Sequence, residues 1–326
     1  MLRVFLVMFA AALFFAGQGN ACPGPISWQE EWPRTDFGKS SVGLGEIFSG
    51  GPPKDGIPAI DEPTFVSAKI VRGLKGYEPV IGLVLNGEAK AYPLRILMWH
   101  EIVNDTIGGV PVLVTYCPLC NSAIVFERRI GDRVTTFGTT GKLRHSDMVM
   151  YDRMTESWWQ QFLGEAIVGE LTGRTLKAIR SRLESFDAFK ARAPEGMVLV
   201  PNDEGARDYG HNPYAFYDSR TVPYEFFSGP FPDYIEPMVR VVVIDGKAWS
   251  LPFLREKGRI EAGDLILNWR EGQASALDHP DMTRGREVGN VVVQLRTNRG
   301  LVDEVYDVTF AFVYHAFNKE RRVVTE

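Results

Sequence analysis

The sequence predicts a mainly β protein with a few helices (α+β) in which a β-hairpin unit occurs twice. Three observations carry this. Apolar runs at residues 80–85 and 239–244 each lead into a turn dipeptide, Asn86-Gly87 and Asp245-Gly246, with a second strand-like run after it. Such dipeptides favour the type I′ turn, because both central residues must take positive φ. The two runs also match at an offset of 159, through Val80, Val84, Gly87, Ala89 and Pro93 against Val239, Val243, Gly246, Ala248 and Pro252. Finally, 32 Gly and 20 Pro break the apolar runs into short pieces, which suits strands and turns better than long helices.

At 326 residues, 45% hydrophobic and 24% charged, the chain can build one large or two ordinary domains with real cores. Disorder, collagen repeats and coiled coil are excluded. Against 36 Lys and Arg stand 41 Asp and Glu, a net charge of −5 without a basic block, so nucleic acid finds no electrostatic footprint. Three cysteines, Cys22, Cys117 and Cys120, are too few for a disulfide scaffold.

Taken in order, residues 1–21 read as a signal peptide: Arg3, an apolar run at 4–16, then small residues at Gly19 and Ala21. The chain is therefore expected to be periplasmic or secreted. Gly19 stands where a lipoprotein signal wants Leu, which argues against lipidation of Cys22. No later run reaches the ~20 apolar residues of a membrane span, so the mature chain should have none. Residues 22–77, with Cys22-Pro23-Gly24-Pro25 and Gly50-Gly51-Pro52-Pro53, read as an irregular N-terminal arm. Residues 78–200 form the first β-rich repeat. Within it, 94–103 reads as a helix entered from Pro93, and a second helix runs from the N-cap Ser185 to Ala193, stopped by Pro194. Residues 201–235 connect to a second β-rich repeat, 236–326, which lacks cysteine and shows strand patterns at 291–295 and 305–314.

The sharpest chemical feature is Cys117-Pro118-Leu119-Cys120, between strand-like runs at 110–116 and 123–126. Two thiols at this spacing serve as a metal chelate, a redox dithiol or a small disulfide. As a staple the loop is poor, worth only about 2 kcal/mol in the chain-entropy model. Thioredoxin-type motifs put the first Cys at a helix N-terminus; here a strand follows, as in the metal-binding knuckle of rubredoxins and zinc ribbons. At an offset of 153 the second repeat carries Arg270-Glu271-Gly272-Gln273 at these positions. The same hairpin is thus expected to form without thiols, which favours a functional role for Cys117 and Cys120.

Further ligands must come from elsewhere. His100, on the first expected helix, is the leading candidate, followed by His145; a Cys and His set suits zinc or copper. His100-Glu101 is not a zincin helix, since Asn104 stands where His is required. Asn121 after Cys120 excludes c-type haem attachment. The run around Gly138 to Leu143 lacks the first Gly and the final Ser or Thr of a phosphate loop, so no nucleotide is expected. Asp147, Asp152 and Glu156, beside Trp158 and Trp159, could act as acid and base next to an aromatic platform, as in glycosidases; the plainer reading is a strand and turn over buried Trp.

Several segments together resemble one family: Lys90-Ala91-Tyr92-Pro93-Leu94-Arg95-Ile96-Leu97, His100-Glu101-Ile102-Val103-Asn104-Asp105, the loop from Thr115 to Asn121, the run from Ser146 to Trp158, Gly164-Glu165-Ala166-Ile167-Val168-Gly169, Arg207-Asp208-Tyr209-Gly210, and Pro213-Tyr214. The chain is identified on these as similar to the domain of unknown function 3179. The resemblance implies no reaction. It also implies Asn as the more common residue where His145 stands, which favours His100 as ligand. The leading expectation is copper or zinc binding, or thiol redox, at Cys117 and Cys120 with His100. The alternative is a carbohydrate- or peptide-binding module with an inert disulfide, using the surface around Asp152 to Trp159.

Overall fold

The computed structural model describes residues 28–326; the expected signal peptide and Cys22 lie outside the described residues. The arm is less irregular than its composition suggests. It supplies β1 (Ile47–Ser49) and β2 (Thr64–Ser67), each docked on a sheet made from later residues. Next, β3 (Pro79–Leu85) and β4 (Glu88–Pro93) form the first hairpin, turning at Asn86 and Gly87 with φ of 49° and 84°. Helix α1 (Leu94–His100) leads into a second hairpin, β5 (Ile102–Ile107) and β6 (Val110–Thr115), and β7 (Val125–Glu127) pairs beside β6.

An excursion follows. After the small hairpin β8 (Arg129–Ile130) and β9 (Arg133–Val134) comes a meander of β10 (Phe137–Arg144), β11 (Asp147–Asp152), β12 (Trp158–Gln160) and β13 (Glu165–Val168), with β1 added at its edge. The chain returns through β14 (Ala178–Ile179) on β7 and β15 (Arg182–Ser185) on β3. Ser185 then caps helix α2 (Phe186–Arg192) by accepting the Ala188 amide, as expected of an N-cap serine. Strand β16 (Met197–Val200) lies parallel to β4 and takes β2 on its other side.

The second half repeats this plan. Strands β17 (Arg240–Ile244) and β18 (Lys247–Ser250) turn at Asp245 and Gly246, φ 47° and 67°. Helix α3 (Leu251–Lys257), β19 (Arg259–Ala262), β20 (Leu265–Arg270), β21 (Asn290–Thr297), β22 (Gly300–Asp303), β23 (Asp307–Phe310) and α4 (Ala311–Phe317) complete it. The sheet order β14-β7-β6-β5 reappears as β22-β21-β20-β19, and β15-β3-β4 as β23-β17-β18. The duplicated β unit is therefore larger than the hairpin that revealed it. What distinguishes the first copy is the meander, inserted between β7 and β14.

Three local expectations are corrected. Helix α1 stops at His100 rather than 103, because Glu101 turns to φ 56°, ψ −31° and its amide closes on the Leu97 carbonyl. Residues 305–314 are not one strand: β23 ends at Phe310 and α4 begins. Ala311, Phe312, Val313, Tyr314 and Ala316 are all buried, so the helix is apolar on every side and shows no 3.6-residue stripe. Pro252 is not the counterpart of Pro93. Pro93 is the N-cap of α1, whereas Ser250 caps α3 and Pro252 lies in its first turn.

The main core runs through both halves and includes Val112, Val114, Phe126, Trp159, Leu267, Val293, Phe310 and Phe312. Because successive strand residues face opposite ways, Trp158 leaves that core and packs with Trp28, Trp32 and Phe37 of the arm. The arm is thereby held against the outer face of the meander. Among the described residues no helix is long and apolar enough to cross a membrane.

Candidate metal centre

The Cys117–Cys120 loop joins two adjacent antiparallel strands, β6 and β7, as the flanking apolar runs predicted. Backbone bonds tighten it at both ends: Cys117 N donates to Ser122 O (2.8 Å), and Cys120 N to Cys117 O (3.2 Å). Asn121, at φ 53°, makes the return turn. Both sulfurs are buried free thiols, and the pair lies 3.5 Å apart without a disulfide.

A third group reaches the thiols from the meander. The β10–β11 turn places His145 and Ser146 at φ 54° and 64°, a region that costs residues other than glycine. This turn aims the Ser146 carbonyl at the thiols, 3.3 Å from Cys120 Sγ and 3.7 Å from Cys117 Sγ. It also delivers Asp147, so that one donor atom each from Cys117, Cys120 and Asp147 lie within 4.8 Å of one another. Asp147 Oδ2 accepts Gln160 Nε2 and the Phe162 amide. Its Oδ1 is sealed from solvent and accepts no N–H or O–H. The Cys120 S–H, a weak donor, is the remaining hydrogen-bond partner of Asp147; a buried carboxylate so weakly answered is costly, and a bound cation would satisfy it.

Burial dominates the electrostatics. It raises both thiols, Cys120 the further, because the neighbouring thiol and the Asp147 charge add to desolvation. Burial likewise pushes Asp147 up to about 7. Glu101, beyond the end of α1, is pushed up to about 8 by burial and then by Asp147. Its structural counterpart at the end of α3 is Gly258, at φ 68°, ψ −33°. Each residue's amide closes its helix, on Leu97 and Leu254 respectively, and each carbonyl accepts from the residue just after or within the paired strand, Tyr116 or Trp269. One copy thus holds a strained, buried glutamate where the other uses glycine.

The second half closes the site. From β23, Asp307 Oδ1 accepts the Ala123 amide, Thr309 Oγ1 donates to Cys120 O, and Val308 O accepts Asn121 Nδ2. Tyr217 Oη, from the connecting segment, donates to Leu119 O. Asp307 is pushed up to about 6 by its burial. Strongly perturbed titratable groups gathered in one place make it a candidate functional site.

The model of the family described as protein of unknown function (DUF3179) matches residues 54–321. The chain belongs to this family. No curated protein and no solved structure matches it.

In this DUF3179 member the sequence-derived candidates separate. His100 is not brought to the thiols: Nδ1 bonds Pro58 O and Nε2 bonds Tyr209 Oη, each at 2.8 Å, with the Tyr209 ring stacked on the imidazole. The early end of α1 is the reason, since the backbone reverses at Glu101 and leaves His100 facing the arm and the connecting segment. His145 also lies outside the donor group, between Phe227 and Phe317 with Glu46 at 3.6 Å; burial, then Arg144, lower it to about 4. Asp152 accepts the Thr155 amide and Trp159 Nε1, and Glu156 ties down Arg34 and Lys54 of the arm. These two acids hold structure together. Trp158 and Trp159 are each 0% exposed, so the expected aromatic binding surface does not exist there. Asp147, named at first as an acid–base candidate, is the third member of this group; nothing in the sequence marked the turn at His145 and Ser146 that delivers it.

Proposed function

We propose that this protein binds a zinc-like divalent cation through Cys117, Cys120 and Asp147, outside the cytoplasm. The observation that carries the reading is the convergence of three buried donors, one of them a carboxylate oxygen that accepts no N–H or O–H. Two thiolates and a carboxylate suit zinc, which takes S and O donors and tolerates three protein ligands with one open position. Copper fits less well: a blue-copper site wants imidazole, and Cu(I) prefers soft ligands to a carboxylate. Thiol exchange is disfavoured too, because it needs an accessible thiolate and these thiols are buried with raised pKa values. The extracytoplasmic setting is supported by the leader-like run at 4–16 alone.

Competition with a chromophoric zinc chelator at pH 8, together with elemental analysis, tests the proposal. Stoichiometric zinc is expected, and Cys117→Ser, Cys120→Ser and Asp147→Asn should each weaken it by about 100-fold, the upper end of what disturbing a site's supporting shell costs. Wild-type affinity in Cys120→Ser would overturn the reading.

A further inference from the structure

The half without cysteines contains a cavity of about 860 Å³, within the size range of small-molecule sites. It opens between the start of β17, helix α3 and the segment before β21. Met238, Leu251 and Val288 give it apolar walls, and Arg220, Arg240, Arg255 and Arg286 line it as well. Arg240 is the built element. Its side chain is only 7% exposed; Nη2 donates to Asp218 and Ser275 Oγ, while Nε is buried without an acceptor and Nη1 engages none among the described residues.

The acids in and under this cavity are already engaged, with one exception. Asp218 holds Arg240 and Arg286, Glu287 accepts the Gly272 and Gln273 amides, and Glu256 pairs with Lys257. Glu236 stands exposed. Arg255 of α3 has no carboxylate partner among the described residues; it lies over the Trp269 ring.

We infer that this cavity binds an organic monoanion with an apolar body, a medium-chain carboxylate by class, whose head is held by the arginines that line the cavity. Planar guanidinium groups match a carboxylate in a two-pronged fashion. Four arginines against four nearby acids leave no large excess of positive charge, which suits a monoanion better than a phosphate dianion. The inference does not depend on the metal centre.

Calorimetric titration of the full chain with decanoate tests it, with decanol and decyltrimethylammonium as controls. Decanoate is expected to bind at one site, decanol at least tenfold more weakly, and the ammonium not at all. Arg255 is exposed, so Arg255→Ala should fold normally and weaken decanoate by about tenfold, the loss of one charge-assisted contact; Arg286→Ala gives a second reading. Absence of decanoate binding, equal binding of decanol, or unchanged affinity in both variants would each overturn the inference.

Discussion

Replacing Glu101 by glycine, the residue its counterpart Gly258 already is, should stabilise the metal-free protein, and should do so only at high pH. The backbone at φ 56°, ψ −31° costs a non-glycine residue about 1–3 kcal/mol. Glycine's extra freedom when unfolded takes back about 0.5–1 kcal/mol, and two lost methylenes take back about 0.8 kcal/mol each. These contributions nearly cancel. The carboxyl decides the outcome. Its folded pKa is about 8 against an ordinary 4.5, so the native state holds a proton that the unfolded chain releases. The resulting penalty is absent below pH 4.5, grows as pH rises toward 8, and levels off above it. At 1.36 kcal/mol per pH unit the ceiling is on the order of 5 kcal/mol. Urea unfolding with a chelator present, at pH 5 and at pH 8.5, measures the difference. The variant should lie within about 1 kcal/mol of wild type at pH 5 and gain about 4–5 kcal/mol at pH 8.5. An equal gain at both values would mean that strain alone is at work, and a loss at both would mean that the side chain holds the fold together.

Other outcomes are equally definite. His100→Ala removes bonds to Pro58 and Tyr209 and should cost about 1–2 kcal/mol in urea, with zinc affinity unchanged in chelator competition. Asp105→Ala leaves the Tyr92 hydroxyl without its partner and the Lys90 ammonium with only Thr106 O and the half-exposed Glu88 carboxylate, so a loss of about 2–3 kcal/mol is expected; a change below about 1 kcal/mol would refute the buried pairing. Zinc affinity should fall on acidification because both thiols hold protons when free and Asp147 does so below about pH 7. Competition curves should show between about two and three protons released per ion, and a pH-independent affinity would remove the thiols from the site.

What could be read from the sequence was local. Asn86-Gly87 and Asp245-Gly246 announced their hairpins because positive φ selects those residues, and Ser185 announced a helix through its cap. The cysteine loop was legible for the same reason, lying between two plain strands. The third donor was not, because Asp147 arrives on a turn whose left-handed residues are His145 and Ser146 rather than glycine. His100 was misplaced because nothing in a Glu at 101 signals a backbone reversal; only the comparison with Gly258 makes it visible. Helix α4 was hidden by burial on all sides, and the contribution of β23 to the cysteine loop by sheer distance along the chain.

That distance sets a schedule. The lid over the cysteine loop comes from residues 184 to 189 positions further along, and pairings so remote form late in folding. Both thiols are buried once Asp307, Val308 and Thr309 have docked on the loop. If the proposed ion binds there, it should enter most readily during maturation of the chain, and a protein that folds in the absence of metal should take it up slowly. Alkylation of Cys117 and Cys120 sampled through refolding would show the door closing as the last strand arrives.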